Sequence, residues 1–219
     1  MENRQIVSFG DAHSLPKLGR EATIFDLDEI TYTNIFNAIK NPGKIISTIE
    51  FYPEEGKYHF SGHLKCGVVR SPNEIKKLGK ICPVCSRELT IGVSNRVYDI
   101  GKLNIETNSI TDKFGVRWIE NKNIKRPNYV MLVPLQEIIT ETVSVGFGSK
   151  KVVNLYDEMI TKLGSEFKIL LETDLDDIET LFGAKIANAI SKVRLGDIVI
   201  EPGFDGQFGK VAIDHTSLF

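Results

Sequence analysis

The sequence predicts an α+β protein built from more than one small module. Short apolar, β-prone segments occur in the first quarter of the chain, whereas apolar residues after Pro134 recur at the three-to-four-residue spacing of amphipathic helices. A Cys-x-x-Cys pair lies in a basic stretch between these two regions. Together these observations predict strands and helices in separate regions, with a metal-binding module between them.

The composition is that of an ordinary globular protein. Hydrophobic residues make up 42% of the 219 residues and charged residues 26%, which argues against wholesale disorder. No apolar run approaches the roughly 18–20 residues that a membrane-spanning helix needs, and the first residues lack the basic-then-apolar pattern of a signal peptide. We therefore expect a soluble, cytoplasmic protein with no membrane partner.

The first 50 residues predict two strands and one helix. Residues 5–9 are apolar and β-prone and stop at Gly10, which predicts a buried strand followed by a polar loop. Apolar residues at helical spacing predict a helix over residues 28–40, which the Asn-Pro-Gly sequence at 41–43 ends. Residues 45–52 predict the second strand.

Composition also divides the rest of the chain. Residues 104–126, rich in asparagine and lysine, predict a linker or mobile loop, and three or four short helices follow Pro134. Residues 198–209 combine an apolar segment with a glycine-rich one and predict a terminal hairpin. We therefore expect four parts: a first region (1–50), a zinc-binding module (51–103), a linker and loop (104–134) and a helical domain with a terminal hairpin (135–219).

Charge is distributed unevenly along the chain. The net charge is only -2, yet residues 57–102 carry nine basic side chains against three acidic ones. Such a basic block suits phosphates and predicts DNA as a partner, although a solvated lysine-rich surface is the alternative. The side chains expected to contact DNA are Lys65, Arg70, Lys76, Lys77, Arg87 and Arg96.

The strongest chemical signal is a pair of short Cys/His motifs. His63-x-x-Cys66 is followed after fifteen residues by Cys82-x-x-Cys85. Two ligands three positions apart on a tight turn can point at one ion, and two such turns complete a tetrahedron. Three thiolates and one imidazole suit structural zinc. His59 competes for the fourth position, but His63 has the better spacing. The alternative is buried thiols beside an exposed histidine.

Asp11 and His13 follow the first predicted strand. A carboxylate and an imidazole two residues apart at a strand end can each reach a different ion of a polynuclear metal cluster. Alone, the Asp-x-His pattern is a weak signal, and a turn-forming aspartate beside a surface histidine is its usual meaning.

The fourteen residues from Ser8 to Glu21 resemble the last metal-binding motif of the PHP (polymerase and histidinol phosphatase) phosphoesterases. More narrowly, they are similar to the branch that includes endonuclease Q, whose members are often labelled helicase-related. The resemblance continues in order along nearly the whole chain, through residues 57–67, 82–85, 89–93, 126–138 and 202–206.

The resemblance implies a metal-dependent endonuclease that nicks DNA beside deaminated bases, such as uracil or hypoxanthine, or at abasic sites. Such an enzyme takes the lesion out of the base stack, and its metals activate water. Asp11 and His13 would be two ligands of the catalytic cluster, which would hold Zn, Mn or Mg if it is complete. Lys17, Arg20 and Glu21 match the same signature, without an assigned role. Residues 1–50 would be the remnant of a PHP α/β barrel edge, followed by a zinc-ribbon-like module.

One departure from the family pattern limits what we expect of the chain. A PHP domain needs earlier ligands, including an N-terminal His-x-His, and only ten residues precede Asp11. We therefore expect the C-terminal half of the family's architecture, which is the DNA-binding portion without a complete catalytic centre. The alternatives are a zinc-stabilised scaffold for a protein such as a helicase, and a hydrolase completed by a second polypeptide that supplies the missing PHP half.

Residues 181–194 resemble the second half of a helix-hairpin-helix, in which a glycine-containing turn offers backbone N–H groups to a phosphate. The turn here has one glycine, Gly183, and the preceding residues are acidic. A purely structural helical pair is therefore the favoured interpretation.

Overall fold

The structure is a computed structural model that describes residues 5–41, 43–101, 106–122 and 124–213. It divides into two compact units, each assembled from two separate stretches of sequence. We call Met1–Phe51 with Ile105–Asp197 the sheet-and-helix unit, and Tyr52–Asn104 with Ile198–Phe219 the cysteine unit. This division differs from the four consecutive parts that the sequence predicts, because residues on either side of the cysteine motifs fold together.

Strands and helices are mixed over the first part of the described residues, and five consecutive helices follow before a final pair of strands. In order they are β1 (Ala22–Phe25), α1 (Tyr32–Lys40), β2 (Ile45–Glu50), β3 (Ser61–His63), β4 (Val68–Arg70), α2 (Pro72–Leu78), α3 (Val93–Ile100), β5 (Thr107–Thr111), β6 (Arg117–Asn121), β7 (Asn128–Met131), α4 (Leu135–Val143), α5 (Lys150–Leu163), α6 (Glu166–Leu171), α7 (Leu175–Phe182), α8 (Ala184–Leu195), β8 (Val199–Glu201) and β9 (Lys210–Ala212). None of these helices is long and apolar enough to cross a membrane.

A five-stranded mixed sheet forms one half of the sheet-and-helix unit. Its strand order is β1-β2-β7-β6-β5, with β2 and β7 parallel and the other neighbours antiparallel. Ile45 and Ile49 of β2 and Val130 of β7 are buried. The sheet therefore joins strands on both sides of the cysteine motifs, which explains why the unit is discontinuous in sequence.

The sequence predicts a linker or mobile loop within residues 104–126, but the described part is mainly the β5–β6 hairpin. The turn is held by Asp112, whose Oδ1 accepts hydrogen bonds from the backbone N–H of Phe114 (2.8 Å) and Val116 (3.0 Å). Its Oδ2 accepts from Trp118 Nε1 at 2.9 Å. Every residue of β5 is exposed. Because the strand buries no side chain, its sequence has no need of the alternating apolar pattern by which strands are predicted, and it lacks that pattern.

The predicted strand at residues 5–9 is also corrected. This segment has no ladder of backbone hydrogen bonds, and Phe9 is 63% exposed. Side-chain hydrogen bonds hold it instead: the N–H of Ser8 donates to Thr23 Oγ1 and the same hydroxyl donates to Ser8 O, both at 2.8 Å. Ser8 Oγ also donates to Glu50 Oε2 at 2.7 Å. Polar side chains thus replace the buried strand that the apolar pattern suggested.

Helices α4–α8 bury the apolar stripes that their spacing predicts. Ser149 and Ser165 begin α5 and α6, each accepting a hydrogen bond from a backbone N–H of the first turn. The buried residues include Leu135, Ile138, Ile139, Val152, Met159, Ile169, Leu170, Ile178, Ile186, Ile190 and Val193. This cluster is the main core of the unit.

Arg194 is the largest buried polar residue of this core, at 1% exposure. Its guanidinium donates to the carbonyls of Ile169 and Leu170, both at 2.9 Å, and of Thr173 and Phe114, both at 2.6 Å. Burial lowers the pKa of Arg194, while the charges of nearby aspartates oppose that shift. The side chain thereby satisfies carbonyls at the end of α6 that have no helical partner.

The cysteine unit has a much smaller core. Ile75, Cys82 and Leu89 are buried, with Cys66 and Val68 packed against them. Two antiparallel pairs, β3–β4 and β8–β9, are its only named ladders among the described residues. Tyr52, Ala212 and Ile213 of the same unit are also buried. Small modules with few buried apolar residues are commonly stabilised by a bound metal ion or by disulfides.

Candidate metal centre and its surroundings

The structure brings the four predicted metal ligands together. One ligand atom from each of His63, Cys66, Cys82 and Cys85 lies within 4.8 Å of the others. His63 Nδ1 is 3.2 Å from Cys85 Sγ. Ligands on a tetrahedral zinc with bonds near 2.3 Å are about 3.8 Å apart, so small side-chain adjustments complete the site. The donor set of one nitrogen and three sulfurs fits structural zinc.

Two tight turns present these ligands. His63 ends β3, and a 3₁₀ turn over Leu64–Cys66 leads to Gly67, whose φ of +64° is in the left-handed region. In the second turn, the N–H of Ser86 donates to Cys82 O at 3.0 Å and the N–H of Cys82 donates to Arg87 O at 2.8 Å. Each turn therefore directs two side chains to the same side, as the spacing predicted.

The thiols of the centre differ in acidity. Burial opposes ionisation of Cys82, but hydrogen bonds from the Cys85 backbone, the His63 side chain and the Val84 backbone outweigh it and lower the pKa of Cys82 to about 6. Burial and the neighbouring thiols of Cys85 and Cys82 raise the pKa of Cys66 to about 11. The thiolate is the metal-binding form of cysteine. The lowered pKa of Cys82 therefore favours binding of a metal cation at neutral pH.

His59, the competing fourth ligand, lies outside the cluster. Its Nδ1 is 3.1 Å from the carbonyl oxygen of Pro53, and it does not belong to the group of ligand atoms that converge. The geometry therefore favours His63.

Asp205 supports the centre from outside, a role that the sequence analysis missed. Its Oδ2 accepts a hydrogen bond from the N–H of Leu64 at 2.7 Å, and its Oδ1 accepts one from Thr90 Oγ1 at 2.5 Å. The Thr90 bond, the Leu64 bond and the charge of His63 lower the pKa of Asp205. The glycine-rich turn that contains Asp205, with φ of +43° at this residue, was the available signal.

Asp11 and His13 are both exposed. Within the ranges that the structure describes, they belong to no group of three or more converging His, Cys, Asp or Glu ligand atoms. Burial raises the pKa of nearby Glu21, and the charges of Asp11 and Glu50 add to that effect while Arg20 opposes it. Two exposed ligands do not form a metal centre by themselves, so no catalytic step follows from them.

Lys17 and Arg20, which follow Asp11 and His13 in the same loop, form ion pairs with Glu137 of α4. Lys17 Nζ lies 3.0 Å and Arg20 Nη2 lies 2.7 Å from Glu137 Oε1. Both side chains therefore have a structural partner within the sheet-and-helix unit.

The predicted DNA-contacting residues divide into an exposed set and one buried side chain. Arg70 is only 8% exposed. Its Nη1 donates to the carbonyls of Leu78 (3.2 Å), Gly79 (2.8 Å) and Ile81 (3.1 Å). It therefore fixes the end of α2 and is not available to phosphates. The exposed set is Lys65, Lys76, Lys77, Arg87 and Arg96.

Part of the chain matches a described family. Residues 134–197, which contain α4–α8, match the family described as the MJ0043 C-terminal domain. The chain is 33% identical over 213 residues to the uncharacterized protein MJ0043 of Methanocaldococcus jannaschii, covering 94% of this chain and 25% of that protein. It is 28% identical over 204 residues to the uncharacterized protein YqxK of Bacillus subtilis, covering 92% and 45%.

Two solved structures share its fold. The lesion-specific endonuclease PfuEndoQ from Pyrococcus furiosus has a TM-score of 0.77 and 28% identity, covering 99% of this chain and 51% of that one. Endonuclease Q in complex with a 27-mer duplex substrate with an abasic lesion at the active site has a TM-score of 0.71 and 29% identity, covering 92% and 47%. The chain is therefore similar to endonuclease Q in sequence and in fold. It spans a quarter to about half of the length of these relatives.

Proposed function

We propose that this chain is the DNA-binding portion of a metal-dependent repair endonuclease, acting beside deaminated bases or at abasic sites. The observation that carries the proposal is the endonuclease Q-like fold over 99% of the chain, at 28% identity. A second endonuclease Q structure holds a duplex with an abasic lesion at its active site. The similarity covers both the cysteine unit and the sheet-and-helix unit.

The exposed basic residues of the cysteine unit are the proposed phosphate contacts. Lys65 lies on the first metal-binding turn and Arg87 closely follows the second cysteine pair. Zinc bound by the four converging ligands would fix the two turns relative to each other. The side chains of Lys65 and Arg87 would then keep a constant separation. Each cation that neutralises a phosphate releases counterions and adds salt-sensitive affinity.

The catalytic centre is proposed to be shared with residues beyond this chain. Asp11 and His13 would contribute two ligands of a PHP-type cluster, and residues 1–50 would form one edge of its barrel. The remaining ligands would come from a region that corresponds to the other half of the longer endonuclease Q chains, which this chain does not cover. Metals bound there would activate water and stabilise the phosphate oxygens.

Duplex binding by the zinc-loaded chain tests the proposal. We expect salt-dependent binding of a duplex with an abasic-site analogue, measured by fluorescence anisotropy. Lys65→Glu and Arg87→Glu should each weaken binding and lower the slope of log K against log salt by about 0.9 for every phosphate that is no longer neutralised. Lys151→Glu, an exposed lysine on α5, is the matched control and should have a much smaller effect.

Three results would overturn the proposal in whole or in part. If the zinc-loaded chain fails to bind duplex at low salt, or if Lys65→Glu and Lys151→Glu behave alike, a protein-binding scaffold becomes the better explanation. Nicking of the duplex by the chain alone with Mg²⁺ or Mn²⁺, abolished in Asp11→Ala, would show that a catalytic centre assembles without a further polypeptide.

A further inference from the structure

Residues 203–209 of the cysteine unit form a turn whose position is fixed by backbone contacts. Four backbone hydrogen bonds of 2.8–3.1 Å join the turn to residues 54–60: Gly203 N–H to Glu54 O, Gly206 N–H to Lys57 O, Gly209 N–H to Glu55 O, and Phe60 N–H to Gly203 O. A Cβ at Gly203 or Gly209 would clash with neighbouring backbone atoms, so the two segments touch directly. The side chains of this turn are therefore held in a defined place.

The two phenylalanines of this turn have opposite environments. Phe204 exchanges two backbone hydrogen bonds with Gln207, at 3.0 and 2.8 Å, and its ring lies so close to Gly62 that a Cβ there would clash. Phe208 is 64% exposed. Phe204 thus supplies the apolar contact between the turn and β3, and the Phe208 ring is not needed for it. Single exposed apolar residues are common, so the groups around Phe208 decide whether its ring has a use.

A lysine and a tyrosine lie at the same turn. Lys57 Nζ is 4.5 Å from the centre of the Phe208 ring, which is a cation–π distance. Tyr58 is 51% exposed, and its hydroxyl is 3.8 Å from the position that a Cβ of Gly206 would take. The turn therefore presents two exposed aromatic side chains and one ammonium group, and Lys57 is not one of the proposed phosphate contacts.

The acidic groups around the turn are paired or partly buried. Four carboxylates lie in the turn or in the segments that adjoin it: Glu54, Glu55, Glu201 and Asp205. Asp205 already accepts two hydrogen bonds, and Glu201 lies opposite Lys210 in the β8–β9 ladder. The other two carboxylates each have one oxygen buried. A ligand of this surface therefore gains its affinity from the aromatic rings rather than from net charge.

We propose that Phe208, with Lys57 and Tyr58, is a stacking site for an unpaired base of DNA. This rests on the proposed DNA-binding function and names the part of the DNA that the surface takes. Every nucleobase has a flat face that stacks on aromatic side chains, and a lysine beside the ring can reach the phosphate next to the stacked base. Neighbouring bases cover both faces of a paired base in a duplex, whereas a lesion leaves a base without its partner.

Two duplexes that differ in one base test this site on the zinc-loaded, ¹⁵N-labelled chain. Their sequences are the same, except that one carries a single extra, unpaired thymine. We expect the bulged duplex to bind more tightly, by fluorescence anisotropy, and to shift the amide signals of Gly206 and Gly209, which the paired duplex leaves in place.

Variants of the ring give the matched controls. Phe208→Ala should weaken binding of the bulged duplex about tenfold and leave the affinity for the paired duplex unchanged. Phe208→Tyr should retain the preference for the bulged duplex, because it keeps the ring. Tyr32→Ala, at an 82% exposed tyrosine of α1, should change neither affinity.

The contrary results separate the stacking site from the DNA-binding function. Equal affinity of the chain for the two duplexes, or an equal loss for both in Phe208→Ala, would overturn the stacking site and leave the DNA-binding function standing. Failure to bind either duplex would overturn both. Phe208→Leu keeps an apolar side chain without the flat ring, so a preference for the bulged duplex that survives in this variant would show that stacking is not its cause.

Discussion

The carboxylate of Asp205 accepts a hydrogen bond from the backbone N–H of Leu64, at 2.7 Å and across 141 residues of sequence. Leu64 directly follows His63, one of the four predicted metal ligands, so a residue close to the C-terminal end of the described chain fixes the first turn of the candidate metal centre. The other carboxylate oxygen binds Thr90. The cysteine unit is therefore built from both of its sequence stretches at the metal centre itself.

Replacing Asp205 should weaken metal retention. In Asp205→Ala the Leu64 N–H and the Thr90 hydroxyl lose their acceptor, which loosens the first turn, and outer-shell changes of this kind typically reduce metal affinity about 10–100-fold. Competition with a chromophoric chelator measures the effect. Asp28→Ala, at an exposed aspartate of the other unit, should leave zinc affinity unchanged; equal affinities for all three proteins would refute the supporting role.

Metal analysis should find one zinc per chain. Cys82→Ser removes the buried thiol and should eliminate that zinc, because three remaining ligands do not close a structural site. Hydrogen exchange of residues 61–89 should then rise, since the small core of the unit depends on the bound ion. Elemental analysis of both proteins checks the first expectation, and retention of a full equivalent in Cys82→Ser would contradict it.

Gly62→Ala should destabilise the cysteine unit. A Cβ at this position would meet the Phe204 ring and lie 2.6 Å from Val68 O, and such overpacking costs about 1–3 kcal/mol. Gly146→Ala is the matched control because nothing lies within 4 Å of its Cβ. Thermal unfolding of the zinc-loaded proteins compares them; an unshifted transition in Gly62→Ala would mean that the ring and backbone move apart freely.

Arg194→Met should destabilise the sheet-and-helix unit. The change leaves four carbonyl oxygens without their donor, and unpaired buried acceptors make a loss on the order of 3 kcal/mol reasonable. Lys185→Met, at an exposed site on the same helix, should change the free energy of unfolding by less than about 0.5 kcal/mol. Urea unfolding followed by circular dichroism measures both; a similar small change in the two variants would contradict the role of the guanidinium.

Tyr156 should ionise late in an alkaline titration. Burial, then the charge of Glu166 and its 2.9 Å hydrogen bond from the phenol, raise the pKa of Tyr156 to about 12. Because the folded pKa lies above the unfolded value near 10, the associated stability is complete below about pH 10 and disappears as the pH rises through about 12. Absorbance at 295 nm should show a late phase that Tyr156→Phe removes and Tyr32→Phe retains. A late phase that survives in Tyr156→Phe would assign it to another tyrosine.

The sequence determined the features that depend on local spacing. The intervals between His63, Cys66, Cys82 and Cys85 fix which side chains a pair of tight turns can present, and the structure brings these ligand atoms together. Periodic apolar residues likewise fixed the helices after Pro134, because each helix must bury one face. These patterns operate over a few residues and need no knowledge of the rest of the chain.

The tertiary structure decided whatever depends on distant partners. Arg70 was counted among the phosphate contacts, yet it is buried and donates to three carbonyls at the end of α2 and just beyond it. The polar segment after residue 105 forms the β5–β6 hairpin because β6 pairs with β7, a strand that contributes the buried Val130 to the core. Asp205 supports the candidate metal centre from outside, because it accepts hydrogen bonds from Leu64 and Thr90. The sequence shows that such residues are polar and need hydrogen-bond partners. Which partners they find depends on distant groups that only the folded chain brings close.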